Sequence, residues 1–234
     1  IASGGNYNTV VGDEAGTDLT TGDNNVAVGY EALKNEDAHG KNTALGTQTL
    51  FTLNAGADGF NSAVGYQAGA AITTGVQNVI IGALAGDALT DADFNVAVGL
   101  ATLSADTLGS RSTAIGHGAL ENQNFTTATD TYNTAVGYVA GLSVTTGTHN
   151  TLVGGLVGDA LTDADRNTAL GYGALSADTL GSHSTALGNL TLVNQNFTTA
   201  TDTYNTAVGS SAGQEITTGI NNTLIGGLAG DALT

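Results

Sequence analysis

The chain has 234 residues, of which 35 are glycine and only 7 tyrosine and 5 phenylalanine, and it has no proline, cysteine, methionine or tryptophan. The chain has four basic and 21 acidic residues, so its formal net charge is −17. The lack of cysteine excludes a disulfide scaffold and a cysteine-ligated metal site. Four basic residues are too few to neutralise a nucleic-acid backbone, and no apolar run reaches the roughly 18 residues of a membrane span.

A pentad of the type Asn-Thr-Ala-Val-Gly recurs along the whole sequence. The interval between its closing glycines is 17 residues in most cases and 19 or 21 in three. A second period of 72 residues relates Gly65, Gly137 and Gly209. Self-similarity of this kind is the signature of a repeat architecture. The closing glycines are Gly12, Gly29, Gly46, Gly65, Gly82, Gly99, Gly116, Gly137, Gly154, Gly171, Gly188, Gly209 and Gly226.

The pentad has the pattern of a short strand with one buried face. The residue before each closing glycine is always a large aliphatic, and the residue before that is small in nine of the 13 pentads. Alternation with a period of two predicts that these two columns face opposite sides of a sheet. We expect the small-residue column, Ala27 and its equivalents, to face outward. Larger residues replace the small one at Val10, Ile80, Leu152 and Leu224.

Two further columns support stacking of equivalent residues. Asparagine opens 11 of the 13 pentads, with Ser112 and Ser184 as the exceptions, and stacked asparagines can form a hydrogen-bonded ladder. Four residues after the closing glycine, glycine and leucine alternate in pairs. Every glycine at this place is followed three residues later by an aliphatic such as Leu19 or Ile72, which indicates a shared core of nearly constant volume.

A unit of 17 residues is too short for a helix pair. The sequence therefore predicts an all-β fold, a parallel β-solenoid or β-roll of about 13 coils with a 17-residue unit and a 72-residue super-repeat. We expect residues 1–234 to form a single repeat domain that is a segment of a longer fibre. A regular apolar face repeated 13 times suits a neighbouring chain with the same repeat, and a closed cyclic homo-oligomer satisfies all such faces.

The pentads Asn61-Ser-Ala-Val-Gly65 and Asn133-Thr-Ala-Val-Gly137, with Ala68 and Ala140 three residues after the glycine, resemble the head repeats of YadA-like trimeric autotransporter adhesins. Similar repeats occur in phage tail fibres and other bacterial surface fibres. The resemblance implies a left-handed parallel β-roll, three chains packed around a common axis, and adhesion to host or matrix surfaces.

These observations predict an extracellular structural fibre or adhesin segment, on a cell surface or a virion. It would be a rigid homotrimeric rod that presents repeated contacts to a surface receptor, glycan or matrix. It would have no enzymatic activity, no cofactor, no nucleic-acid partner and no membrane insertion in this segment. A phage tail-fibre shaft or receptor-binding segment is one alternative. An ice-binding or calcium-stabilised β-solenoid is another, although threonine pairs such as Thr20-Thr21 occur only once per super-repeat.

Two acidic segments are the candidates for calcium, which needs six to eight oxygen ligands. The competing interpretation is that these aspartates are solvated turn residues. The six candidates are Asp87, Asp91, Asp93, Asp159, Asp163 and Asp165.

Two long coils insert four extra residues each, at 121–132 and 193–204. Loops that protrude from a rigid scaffold commonly carry binding function, so Phe125, Tyr132, Phe197 and Tyr204 are candidate surface-contact residues. The alternative, which we favour, is that they cover a seam between chains.

No catalytic residue is expected. Gly209-Ser-Ser-Ala-Gly213 matches the G-x-S-x-G pattern, but Ser211 aligns with Gln67 and Val139 in the other super-repeats and is thus a variable position. The four histidines are scattered among the repeats rather than grouped as metal ligands would be.

Overall fold

The computed structural model describes residues 4–234, in which every regular element is a short β-strand and none is a helix. Thirteen three-residue strands correspond to the 13 pentads, and four two-residue strands lie between them. The pentad strands are β1 (Thr9–Val11), β2 (Val26–Val28), β3 (Thr43–Leu45), β4 (Ser62–Val64), β5 (Val79–Ile81), β6 (Val96–Val98), β8 (Thr113–Ile115), β10 (Thr134–Val136), β11 (Thr151–Val153), β12 (Thr168–Leu170), β14 (Thr185–Leu187), β16 (Thr206–Val208) and β17 (Thr223–Ile225). The minor strands are β7 (Gly109–Ser110), β9 (Thr129–Asp130), β13 (Gly181–Ser182) and β15 (Thr201–Asp202).

The described chain forms two compact units, one up to Ser112 together with Asn124–Asp130, the other Thr113–Gln123 together with Thr131–Thr234. In the first, β1 to β6 pair in parallel in chain order, and β7 pairs with β9. In the second, β8, β10, β11, β12, β14, β16 and β17 pair in parallel in that order, and β13 pairs with β15.

The register of these pairs confirms the predicted β-solenoid. Val64 pairs with Ile81, and Ile81 pairs with Val98, so equivalent residues of successive pentads lie in adjacent layers of one column. The chain therefore makes one turn per pentad, and the repeat length of the sequence is the length of one coil.

The two faces of the pentad strands are the reverse of our expectation. The small-residue column is inside: Ala27, Ala44 and Ala63 have no exposed surface. The aliphatic before the closing glycine points outward, and Leu45 is 44% and Leu170 53% exposed. The interior of so short a coil is narrow, and most inward positions on the strand have room only for alanine.

Side chains from the turns fill the rest of the core, as predicted from the alternation of glycine and leucine four residues after the closing glycine. Leu33 and Leu50 are fully buried in the leucine coils, and Ile72 and Leu89 replace them in the glycine coils. A Cβ built on Gly86 would lie 2.8 Å from Leu89 Cδ1 and 3.1 Å from Ile80 Cδ1. Glycine at this place therefore makes room for both side chains, and all four larger inner residues occur in such coils.

The ladder asparagines connect each coil to its neighbours. Asn78 is fully buried, and its backbone N–H donates to Asn61 Oδ1 at 3.0 Å. Its Nδ2 donates to the Ala92 carbonyl at 2.8 Å, and its own Oδ1 accepts from the Asn95 N–H at 2.9 Å. An asparagine side chain offers both a donor and an acceptor, which explains why this residue opens most pentads.

The closing glycine is required by close approach of successive coils. Gly65 has a φ of +137°, and a Cβ there would lie 2.5 Å from the Gly82 carbonyl oxygen. Any side chain at this corner would collide with the backbone of the next coil.

Candidate functional site

The outward face of the pentad sheet carries two columns. One is the aliphatic column, the residue before each closing glycine. The other is the threonine column, the residue after each pentad-opening residue, with threonine in nine strands, valine in three and serine in one. None of the chain's charged residues lies in either column. Each unit therefore presents an uncharged face of repeated apolar and hydroxyl groups on a strongly acidic protein.

Polar and aromatic side chains line one edge of this face. The residue before each pentad, which we call the edge column, includes three of the four basic residues, Lys41, Arg111 and Arg166. Lys41 lies 4.9 Å from the centre of the Phe60 ring, and its ammonium is 2.6 Å from Asp58 Oδ2. The hydrogen bond from the Lys41 ammonium lowers the pKa of the Asp58 carboxyl.

In the second unit the edge column contains stacked rings. Tyr132 and His149 have ring centres 5.3 Å apart, and those of His183 and Tyr204 are 5.1 Å apart. Rings in successive coils are thus in contact with each other along the stack, which stabilises the edge of the sheet.

The long coils divide the four candidate surface-contact aromatics into two classes. Tyr132 and Tyr204 are 51% and 54% exposed, so they remain available for contact. Phe125 and Phe197 are each only 6% exposed, which contradicts their assignment as surface residues. The phenylalanine anchors the inserted loop of its own coil and covers the core there.

A buried polar cluster lies beneath the second long coil, and the sequence analysis missed it. Asp178 Oδ1 accepts the N–H groups of Gly181 at 3.1 Å and Phe197 at 3.0 Å. The Gln195 side chain lies between Asp178 and Ser184, with its Nε2 2.5 Å from Asp178 Oδ2 and 2.8 Å from Ser184 Oγ.

Two more residues complete this polar cluster. Thr203 Oγ1 is 2.6 Å from Ser184 Oγ, and Asn205 Nδ2 donates to Gln195 Oε1 at 2.8 Å. All five side chains are on residues that are at most 1% exposed, and burial raises the pKa of Asp178. Two sequence signals could have located the cluster: a polar residue where the glycine coils place an aliphatic, and serine in place of the pentad asparagine.

The six calcium candidates do not converge. Asp91 and Asp163 each accept a hydrogen bond from a threonine hydroxyl, at 2.6 and 2.8 Å. Asp93 and Asp165 each accept a backbone N–H at 2.7 Å. Asp87 and Asp159 are partly buried, which raises the pKa of both carboxyls. No three of these six carboxylates form a ligand group in residues 4–234, and the bonds favour the interpretation as turn residues.

Glu36, Asp37 and His39 are the one group of three metal-capable side chains close together within residues 4–234. The buried Glu36 carboxylate, whose pKa is raised by burial, accepts the N–H groups of His39 at 3.1 Å and Ala55 at 3.4 Å. Asp178 makes the same pair of bonds in its own coil. Glu36 is therefore a loop anchor of the repeat.

Ser211, the central residue of the G-x-S-x-G match, takes part in the turn hydrogen bonding of the repeat. Ser211 lies at a left-handed turn position with φ +54°, and its N–H donates to the Asn189 carbonyl at 2.9 Å. In the part of the chain that the structure describes, no pocket was found that could hold a small molecule. Nor does that part contain a helix with the length and apolar character needed to cross a bilayer.

Comparison with known proteins gives no relative. No family model matches the chain, and no curated protein and no solved structure shows a significant similarity to it.

Proposed function

We propose that this chain is a segment of an extracellular fibre or adhesin, on a cell surface or a virion, that works as a stiff homotrimeric spacer. The uncharged outward face of the pentad sheet is the observation that carries the proposal. None of the 21 acidic residues of the chain occupies a position in the aliphatic or the threonine column.

Such a face suits burial against copies of itself. Apolar side chains that stay exposed in a regular row mark an interaction surface, and charge is depleted from the centre of protein interfaces. A cyclic arrangement buries the same face of every copy and leaves none unsatisfied. The resemblance to adhesin head repeats makes three the expected number. The surfaces of each coil on the side away from this face would then be exposed to solvent. Because each coil presents an equivalent surface, a weak contact with a partner would be made many times along the rod.

Native mass in solution tests whether the uncharged outward face forms the contact between chains, which we call the seam. We expect light scattering to give about three times the 23.1 kDa of one chain. The double variant Leu170→Glu with Leu187→Glu places two carboxylates in the aliphatic column of the second unit, and it should dissociate the assembly to monomers.

Thr198→Glu is the matched control, because Thr198 is exposed on the long coil and away from the pentad sheet. It should leave the mass unchanged, and far-UV circular dichroism should show that both variants keep the β-solenoid. A monomeric wild-type chain would remove the trimer from the proposal. An assembly that survives the two glutamates would place the seam on another face.

One observation favours ice binding as a second candidate. Threonine occupies the same outward position in nine strands and alternates across the face with an aliphatic, so the rows are far more regular than the threonine pairs of the turns. The nine are Thr9, Thr43, Thr113, Thr134, Thr151, Thr168, Thr185, Thr206 and Thr223. A thermal-hysteresis assay separates the candidates, since a trimer that buries this face should show none.

A further inference from the structure

One turn of the solenoid departs from the repeat at two nearby positions. Asp37 is the eighth residue after a closing glycine, where the other complete 17-residue coils all have threonine. His39 comes two positions later, where those coils all have glycine or alanine. Both residues stand beside Glu36, which is fully buried. We propose that Glu36, Asp37 and His39 together bind one divalent metal ion of the zinc class.

The repeat places the histidine side chain next to the buried carboxylate. In an equivalent coil with an acid at the same position, a Cβ built on Gly181 would collide with Asp178 Oδ2. A side chain at this position therefore enters the space beside the acid. His39 is such a side chain, and its Nδ1 lies 3.9 Å from Glu36 Oε1. That distance is too long for a hydrogen bond.

The buried atoms of this turn have electron pairs available for an ion. Within residues 4–234, His39 Nδ1 is one of three buried side-chain nitrogen or oxygen atoms that have no hydrogen-bond partner. Glu36 Oε1 accepts one backbone N–H at 3.1 Å, and Oε2 accepts another at 3.4 Å. Because each oxygen of an ionised carboxylate has two lone pairs, each Glu36 oxygen retains one lone pair for a metal.

The three ligand atoms lie close enough together for one ion. One atom each of Glu36, Asp37 and His39 can be chosen so that all three lie within 4.8 Å of one another. Zn²⁺ holds nitrogen and oxygen ligands at about 2.0–2.2 Å, so its ligand atoms are about 3–4 Å apart. A small rotation of the partly exposed Asp37 side chain reaches this spacing. Water completes the shell, as in other zinc sites with three protein ligands.

The donor set selects the kind of ion. Imidazole nitrogen suits zinc and its neighbouring transition metals, whereas calcium and magnesium are bound through oxygen ligands. Two carboxylates balance the charge of a divalent cation, and a buried charge such as that of Glu36 is tolerated when it is paired or bound to a metal. Glu36 also accepts the N–H of Ala55 in the next coil. An ion at this turn would therefore hold two successive coils together.

Isothermal titration calorimetry of the full chain, stripped of metal with a chelator, tests the site. We expect one tight site per chain for Zn²⁺ and at least tenfold weaker binding of Ca²⁺ and Mg²⁺. Saturating Zn²⁺ should raise the thermal midpoint, because the ion binds the folded state. His39→Gly and Asp37→Thr restore the residues of the equivalent coils, so both variants should fold. Each should weaken zinc binding at least tenfold, since it removes one ligand.

Two variants at other turns and edges serve as matched controls. His149→Asn removes a histidine of the edge column, where Asn24 shows that asparagine is accepted. Asp163→Thr removes a turn carboxylate at a position that Thr146 occupies in the preceding coil. Both controls should keep the zinc affinity of the wild type. Far-UV circular dichroism should show that all four variants keep the β-solenoid.

A wild-type chain that neither binds zinc in the calorimeter nor gains thermal stability from it would overturn the proposal. So would a zinc affinity that is unchanged in His39→Gly, because the ion would then be bound elsewhere. Calcium binding as tight as that of zinc would also contradict it, since the imidazole would then have no part in the site. The three residues lie outside the pentad sheet, so none of these results bears on the trimeric seam, which is tested by native mass.

Discussion

Single residues of this protein are chosen by what lies directly above and below them in the stack. Asn78 bonds to the coil before it and the coil after it, and the inner alanines leave room for a turn residue from the far side of the coil. An identical environment repeats in each coil, so an identical residue is selected. Ser184 departs from the asparagine of this column because its partners differ: its Oγ lies 2.8 Å from Gln195 Nε2 and 2.6 Å from Thr203 Oγ1.

Two glycines of one coil should respond differently to the same substitution. At Gly65, φ is +137° and the next backbone is 2.5 Å from a built Cβ, so Gly65→Ala should destabilise the fold by more than about 3 kcal/mol. At Gly69, φ is +60° and the nearest atoms are side-chain methyls of Ile72 and Leu50. Gly69→Ala should cost only about 1–2 kcal/mol, because these methyls can shift.

Urea unfolding followed by circular dichroism measures both variants, with Ala70→Gly as a control in the same turn at a half-buried site. Equal losses for the two glycines would show that the close approach of successive coils at the corner is not the reason for the closing glycine.

At the scale of strands and coils, the sequence located the 13 pentad strands but assigned their faces wrongly, and it did not locate the four two-residue strands between them. Alternation with a period of two shows that neighbouring residues face opposite sides, and nothing in it says which side is the interior. We placed the larger residues inside, as in ordinary sheets. The missed signal was a correlation between two positions of the coil. The larger inner strand residues occur only in coils with glycine four residues after the closing glycine, which indicates that both positions share one core. These residues are Val10, Ile80, Leu152 and Leu224.

The long coil gives the prediction for this scale. Phe197 is 6% and Tyr204 54% exposed, although the sequence offered both as surface residues. Phe197→Ala should therefore destabilise the chain by about 3–4 kcal/mol. Tyr204→Ala, which removes a ring stacked on His183 at the surface, should cost less than about 1.5 kcal/mol.

The measurement is chemical unfolding of the two variants beside the wild type. If Tyr204→Ala proved the more damaging, the edge column rather than the loop anchor would hold the long coil in place. A binding partner found later should respond to Tyr204→Ala and be insensitive to conservative changes at Phe197 that preserve the core, such as Phe197→Leu.

For the whole molecule, the buried carboxyl groups and the net negative charge determine how stability depends on pH. Burial raises the pKa of Glu36 and of Asp178, the first above its ordinary value of 4.5. The folded state then binds more protons than the unfolded state between the ordinary and the raised pKa. The contribution of these two groups to stability is therefore greatest below their ordinary pKa values and is lost as the pH rises through the folded-state values. The lowered pKa of Asp58 acts in the opposite direction, but that pair is exposed and contributes little.

We expect the thermal midpoint to be higher at about pH 5 than at about pH 7. Partial protonation of a chain with net charge −17 also relieves repulsion, in the same direction. Glu36→Gln should reduce the difference, because it removes one buried titrating group, while Glu215→Gln, at an exposed site, should not. An identical pH dependence in Glu36→Gln and the wild type would show that repulsion alone is responsible.

The sequence by itself determined the repeat, the one-coil unit, the parallel stacking and the exchange of core volume between two turn positions, because each of these follows from which residue types recur at which interval. Only the tertiary structure decided which strand face is the interior, where Phe125 and Phe197 point, and that five polar side chains far apart in sequence meet beneath a long coil. Those features depend on the distance across the coil, and a periodic pattern along one strand carries no information about the opposite wall.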